Sequence, residues 1–197
     1  MSSVLPDTWI LWAHLPKDTD WSRESFKQVY TIKTKNDAVA VIKVLQSHDG
    51  ILIKSGMLFV MREGIFPLWE DERNIEGGVL SYKVLKRYVI GTWEDLFYAM
   101  LGETLSDNPS NINGITTSPK NDFCVIKVWT KTCNEKVPDK VITNTEVHGL
   151  HHKRCLFRPH NDTVINNNNK LNSIQKAADS SPAQKDEACK QVPSQKD

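Results

Sequence analysis

The sequence predicts an α+β domain in which a mostly antiparallel β-sheet is covered by helices on one face. Seven short segments are rich in β-branched and aromatic residues, and two longer segments repeat their apolar residues with the period of a helix. The connections between these segments are short, which favours antiparallel neighbours and places the helices on one face of the sheet. The other face of the sheet is therefore expected to be open.

The predicted strands are bounded by turn-forming residues and lie at 8–14, 26–33, 56–62, 79–83, 112–117, 123–130 and 155–158. The strand at 123–130 alternates most clearly, so its successive side chains should point to opposite faces. Cys124, Ile126 and Val128 suit packing under helices. Lys127 and Trp129, on the opposite face, suit a surface that is open to a ligand.

Two helices are predicted between the strands. Thr34 and Asp37 have the spacing of a capping box, and Gly102 marks the end of the second helix. The apolar stripes that define the two helices are Ala38, Val41, Ile42 and Leu45 in the first and Val89, Trp93, Leu96, Phe97 and Met100 in the second.

The composition predicts one folded domain followed by a tail. A chain of 197 residues with 39% hydrophobic content can bury one ordinary core. The segment 166–197 has almost no large apolar residues and balanced charges, so it cannot offset the entropy of ordering. We therefore expect a domain over 1–165 and a disordered polar tail over 166–197.

Charge and cysteine usage restrict the class of protein. A net charge of +1 gives no general field for polyanions, so any contact with RNA should be local. The four cysteines form no C-x-x-C pair, which indicates a reducing compartment. No apolar leader and no apolar run of about 18 residues is apparent, so we expect a cytoplasmic protein without a membrane segment.

Two tryptophans stand in polar, turn-rich stretches, Trp21 in DTDWS and Trp69 in FPLWEDERN. A planar cation between two indoles gains stacking and cation–π attraction. Glu70, next to Trp69, has the acceptor pair that the N1–H and N2 amino group of guanine require. This pattern fits 7-methylguanine, the cationic base of the mRNA 5′ cap. The residues alone leave a second interpretation open, in which the indoles are core anchors and Glu70 is a surface carboxylate.

Several segments resemble, in order and in spacing, the eukaryotic translation initiation factor 4E family of cap-binding proteins. They are LWAHLPKDTDW, MREGIFPLWEDERNIEGG, LGETL, CVIKVWT and FRPHNDT, spread over about residues 8 to 163. The resemblance implies a curved sheet with helices on its convex face and the cap on its concave face. It also implies that Trp21 and Trp69 stack on the base, that Glu70 reads its edge and that Trp129 touches the N7 methyl group.

The resemblance is weaker where the cap phosphates should bind. Lys120 matches a basic position of the family, but two other positions that are often basic are matched by Val79 and Val125. We expect the missing charge to come from Lys127, Arg158 and His160, with Lys153 and Arg154 as further candidates. Each of these side chains has a simpler interpretation as a solvated surface group.

The chain also departs from the family on the helical face that binds a scaffold protein. The family's tryptophan on the first helix is matched by Val39, and its apolar anchors on the second by Glu94 and Tyr98, whereas Gly102 is retained. A charge in place of an apolar anchor predicts poor binding of the usual scaffold peptide. Three hypotheses remain open: an initiation factor with a divergent scaffold, a cap-binding repressor or decoy, and a protein–protein adaptor that has kept only the fold.

A zinc site and an enzyme are not favoured. Histidines and one cysteine cluster between His148 and His160, but their spacing fits no standard zinc finger. No nucleophile motif, phosphate-binding loop or paired carboxylates stand out. We expect a monomer that needs no metal or cofactor and is not an enzyme.

Overall fold

The computed structural model describes residues 3–144 and 146–162. The predicted tail over 166–197 lies outside the described residues. The strands are β1 (Val4–His14), β2 (Lys27–Thr34), β3 (Met57–Arg62), β4 (Gly78–Leu85), β5 (Ile112–Pro119), β6 (Phe123–Thr130) and β7 (Leu156–Pro159). The helices are α1 (Lys35–Ser55), α2 (Lys86–Leu101) and the short α3 (Pro138–Val141).

All seven predicted strands are present, and they form one curved sheet in the order β2-β1-β3-β5-β6-β4-β7. Every neighbouring pair is antiparallel, so the predicted fold class is confirmed. The largest error concerns β1, which begins at Val4 rather than at residue 8. Val4 pairs with Thr34 across a register irregularity, and the stretch with Pro6 and Asp7 lacks the propensity pattern of a strand.

The first helix begins, and the second helix ends, where the sequence predicts. The hydroxyl of Thr34 accepts a hydrogen bond from the backbone N–H of Asp37, and the Asp37 carboxylate accepts one from the N–H of Thr34, which completes the capping box. The backbone of α1 departs from helical geometry over 47–50. Gly50 lies there at φ +67°, which favours glycine, and a Cβ would lie 2.4 Å from a side-chain carbon of Ile90 in α2, so a larger residue would displace Ile90.

The main core lies between the helices and one face of the sheet. The predicted apolar stripes of α1 and α2 are buried there against alternate residues of the strands, among them Cys124, Ile126 and Val128 of β6. A smaller apolar cluster lies on the opposite face, which we call the open face; it is formed by Phe26, Phe59, Met61, Ile65, Val79 and Trp129. Within the described ranges, no helix has the length and apolar character needed to cross a membrane.

Candidate functional site

The sheet register brings three of the predicted site residues together on the open face. Trp129 of β6 and Arg158 of β7 both lie opposite Val79 of β4, one from each side, so the three side chains share a face. Lys127 lies two residues before Trp129 and therefore points to the same face. Trp21 and Trp69 reach this region from the β1–β2 and β3–β4 loops.

The side chain of Trp21 is stacked on a histidine. Its ring lies parallel to that of His14, with centroids 4.3 Å apart and an interplanar angle of 6°. His14 is buried at the end of β1, where its Nδ1 lies 2.9 Å from the carbonyl oxygen of Leu15 and its Nε2 lies 2.7 Å from that of Asp20. His14 therefore holds both one face of the indole and the loop that carries it, while Trp21 remains 49% exposed.

Sequence reasoning missed His14, although a signal was present. His14 lies two residues after Trp12 in β1, so the alternation of the strand places both on the open face. The loop after it is also ordered by its own side chains. The Asp20 carboxylate accepts hydrogen bonds from the backbone N–H and the hydroxyl of Ser22, at 2.8 and 3.0 Å, and these bonds lower the pKa of Asp20.

One arginine connects the loops of the two tryptophans, and the sequence did not reveal it. Arg23, just after Trp21, places its guanidinium carbon 4.5 Å from the ring centroid of Phe66. A guanidinium nitrogen of the same residue lies 3.6 Å from the carboxylate of Asp71, two residues after Trp69. The Asp71 side chain is 9% exposed, so this ion pair is partly shielded from water.

The loop that carries Trp69 is fixed from within by a buried asparagine. The side-chain amide of Asn74 donates to the carbonyl oxygens of Phe66 and Leu68 at 2.9 and 2.8 Å, and its oxygen accepts from Asn113 of β5 at 2.9 Å. Asn74 is fully buried, so each of these bonds is costly to break. Trp69 itself is half-buried against the smaller apolar cluster.

Glu70 is available to a ligand. It is exposed, and it makes no hydrogen bond or ion pair with the residues that the structure describes. Its neighbour Trp69 lies near a cation, because the Lys127 ammonium is 5.8 Å from the Trp69 ring centroid. An unpaired carboxylate thus adjoins an indole whose face already attracts positive charge.

Three cations of the predicted phosphate site influence one another. Lys127 is half-buried, and its pKa is lowered first by burial and then by the positive charges of Arg158 and Lys120. Lys120 and Arg158 are exposed. A bound anion would stabilise all three charges, since it would replace repulsion with attraction.

Two predicted site residues differ from expectation. Trp129 is on the predicted face, but it is 1% exposed rather than open: its Nε1–H donates to the Thr116 hydroxyl at 2.7 Å, and the ring of His160 lies 4.8 Å from its own. His160 is equally buried, which lowers its pKa to about 4, with the Lys127 charge adding to the effect. The expected positive charge at His160 is therefore wrong, because its imidazole is neutral near pH 7.

The residues that match the family's scaffold-binding face lie on α1 and α2. Val39 and Tyr98 are 41% and 37% exposed, and the N–H of Gly102 bonds to the carbonyl oxygen of Tyr98 at the end of α2. Glu94 has a partner within the protein, because the side-chain amide of Gln46 in α1 donates to its carboxylate at 2.6 Å. The charge at this position is thus anchored between the two helices.

Two of the histidines after residue 147 have separate partners. His148 Nδ1 lies 3.1 Å from an Asp95 oxygen, and His152 Nδ1 lies 3.1 Å from the Tyr82 hydroxyl. In the described part of the chain, no group of three or more His, Cys, Asp or Glu side chains is placed to hold a metal ion.

Comparison with known proteins gives a consistent result. The family model described as "Eukaryotic initiation factor 4E" matches residues 4–175. The chain is 28% identical over 166 residues to eukaryotic translation initiation factor 4E-2 of Schizosaccharomyces pombe, a match that covers 81% of this chain and 68% of the relative. It is 30% identical to an initiation factor 4E homolog of Acanthamoeba polyphaga mimivirus, over 58% of this chain and 50% of that protein.

Solved structures show the same fold. The chain is similar to Ascaris suum eIF4E-3 in complex with an m2,2,7G cap, with 28% identity and a TM-score of 0.60 over 68% of this chain and 77% of that one. It is also similar to schistosome eIF4E complexed with m7GpppA and 4E-BP, with 25% identity and a TM-score of 0.60 over 68% of this chain and 75% of that one.

Proposed function

Since the chain belongs to the eukaryotic initiation factor 4E family, we propose that it binds the 7-methylguanosine cap of mRNA and acts in translation initiation. One observation carries the proposal: two indole-bearing loops are joined by Arg23, and an unpaired carboxylate, Glu70, lies beside one of the indoles. Two relatives of known structure were solved with a cap or cap analogue, which supports the same ligand here.

The methylated base stacks between Trp21 and Trp69 in this proposal. His14 covers one face of Trp21, so the other face is left for the base. Methylation at N7 gives the ring a positive charge, and each indole face then contributes roughly 0.5 to 2 kcal/mol of cation–π attraction. Glu70 accepts hydrogen bonds from N1–H and the N2 amino group, and its negative charge also favours the methylated base.

The cap phosphates bind to Lys120, Lys127 and Arg158. Lys127 moves from the face of Trp69 towards the phosphates when the cationic base arrives, because two positive charges cannot both occupy that face. His160 contributes no charge. Contact of Trp129 with the N7 methyl group requires His160 or another neighbour to move aside, since Trp129 is buried.

The helical face favours an unusual scaffold partner or none. Glu94 is anchored to Gln46, so an apolar peptide that docks there must either break this hydrogen bond or bury the pair. The chain is therefore an initiation factor with a divergent scaffold, or a cap-binding repressor or decoy. The joint presence of Trp21, Trp69 and Glu70 speaks against an adaptor that has lost its ligand.

Titration with 7-methyl-GTP and GTP, followed by tryptophan fluorescence, tests the proposal. We expect selective binding and quenching by 7-methyl-GTP. Trp69→Ala should lose about 1 to 3 kcal/mol of binding free energy, which is the usual contribution of one base–aromatic stack. Glu70→Gln should lose about 1.5 to 3 kcal/mol, since a neutral amide loses the charge-assisted hydrogen bond.

Glu72→Gln is the matched control for Glu70, because Glu72 is exposed in the same loop and the change in charge is identical. It should bind 7-methyl-GTP like the unaltered protein. Equal affinity for the two nucleotides would contradict the cation–π argument. Equal effects of Glu70→Gln and Glu72→Gln would contradict the role of Glu70 at the guanine edge.

A further inference from the structure

A second concave region lies along α2, away from the tryptophan loops. It is a cavity of about 790 Å³ between the end of β4, the first turns of α2 and the segment 148–154, a size typical of small-molecule and nucleotide sites. The lining residues that matter here are Lys83, Arg87, Tyr88, Gly91, Asp95 and Arg154. None of these residues belongs to the proposed cap site.

The cavity is positively charged. Lys83, Arg87 and Arg154 are exposed, and none of them forms an ion pair with the residues that the structure describes. The one carboxylate in the lining, Asp95, already accepts hydrogen bonds from the backbone N–H and the ring of His148, each at 3.1 Å. Three cations are thus left without a protein anion, which favours an anionic ligand.

An aromatic ring stands beside these cations. Tyr88 is 55% exposed on α2, and the guanidinium of Arg87 lies 4.8 Å from its ring centroid. Exposed aromatic side chains combined with arginine and lysine are typical of surfaces that bind single-stranded nucleic acid, where bases stack and phosphates pair with the cations.

A glycine keeps the cavity open. Gly91 lies inside α2, where glycine is unfavourable compared with alanine. A Cβ built at Gly91 meets nothing within 4 Å, so packing does not require glycine at this position. A larger side chain there would project into open space that adjoins the cavity.

One residue of the cavity lining lies close to the proposed phosphate site. Lys83 lies opposite Val125 in the β4–β6 pair, so Lys127 is its diagonal neighbour, at about 7–8 Å between the two residues on the same face. Lys83 also lines the cavity. Its ammonium is 4.1 Å from the ring centroid of Phe123. Lys83 thus borders the cavity that Arg87 and Arg154 line and is also a near neighbour of Lys127.

We propose that this cavity binds a nucleotide of the RNA chain downstream of the cap. A base packs against Tyr88, and the adjacent phosphates pair with Lys83, Arg87 and Arg154. The inference rests on the proposed cap-binding function. RNA is favoured over an acidic peptide, because an exposed aromatic ring lies beside the cations and Lys83 is a neighbour of both the cavity and the phosphate site.

Comparison of three ligands tests the inference: 7-methyl-GTP, a capped oligoribonucleotide of about ten nucleotides, and the same oligonucleotide without a cap. We expect the capped oligonucleotide to bind more tightly than 7-methyl-GTP by on the order of tenfold, the range for one stacked base. The double variant Arg87→Ala, Arg154→Ala should lose most of this advantage. The slope of log affinity against log salt concentration for the oligonucleotide should also become shallower by about 1.4, because two phosphate contacts are lost.

Matched variants separate the cavity from general effects. Gly91→Phe should fill the cavity and remove the advantage, whereas Gly91→Ala should retain it. Lys35→Ala, Lys43→Ala removes two exposed charges that do not line the cavity, and it should also retain the advantage. Binding of 7-methyl-GTP should be unchanged in both Gly91 variants and in Lys35→Ala, Lys43→Ala, since none of these residues is a candidate for the cap site.

The outcomes are distinguishable. If 7-methyl-GTP does not bind, the cap-binding function fails, and the uncapped oligonucleotide still tests the cavity, since Arg87→Ala, Arg154→Ala should weaken its binding. If 7-methyl-GTP binds but the oligonucleotide gains nothing, the inference is overturned. It is likewise overturned if the advantage survives Gly91→Phe. Binding of a hexaglutamate peptide that Gly91→Phe abolishes, without any gain from RNA, would reassign the cavity to an acidic protein partner.

Discussion

Acidification should destabilise the folded protein through His160. This side chain is 1% exposed, and burial, followed by the charge of Lys127, lowers its pKa from 6.5 to about 4. Below about pH 6.5, the unfolded chain therefore binds a proton at this position that the folded protein does not bind. The free energy of unfolding falls as the pH drops from about 6.5 to about 4, and it loses nothing further from His160 below that range.

The magnitude follows from the two pKa values. Between about pH 7.5 and about pH 5, the difference in proton binding corresponds to ~2 kcal/mol of unfolding free energy. Denaturant unfolding at the two pH values measures this change directly. In His160→Gln, where the titrating group is absent, the loss on acidification should be smaller by this amount.

Two further variants control for other effects. His160→Phe keeps an aromatic ring against Trp129 and should show the same reduced pH sensitivity as His160→Gln. His151→Gln is the same substitution at an exposed histidine, and it should leave the pH sensitivity of the unaltered protein intact. Carboxylates that titrate in this range are common to all variants. If His160→Gln loses as much stability on acidification as the unaltered protein, the reasoning about burial is refuted.

Two other predictions concern binding. Arg23→Ala should weaken the binding of 7-methyl-GTP by about 0.5 to 2 kcal/mol, because it removes the cation–π contact and the ion pair between the tryptophan loops. Fluorescence titration measures this loss, and an unchanged affinity would show that the link is unimportant. A helical scaffold peptide with the family's tyrosine and leucine anchors should bind weakly until Val39→Trp and Glu94→Leu are combined; tight binding by the unaltered protein in fluorescence polarisation would show that this surface works through other residues.

Features that depend on near neighbours in the chain were predictable from the sequence. The capping box at Thr34 needs only Asp37, three residues away, and the alternation along β6 needs only the period of a strand. The same holds for the apolar stripes of α1 and α2, and for the end of α2 at Gly102. The candidate residues Trp21 and Trp69 were also recognisable, since polar turn-forming neighbours cannot bury an indole.

Burial and pairing between distant segments were decided only by the tertiary structure. Alternation places Trp129 on the open face, but a pattern in one strand cannot show that His160, thirty-one residues later, covers it. The links from Arg23 to Asp71 and from Gln46 to Glu94 likewise join segments 48 residues apart. The physical reason is that the direction of a side chain follows from the local backbone, whereas its solvation and its partner depend on which remote surface packs against it.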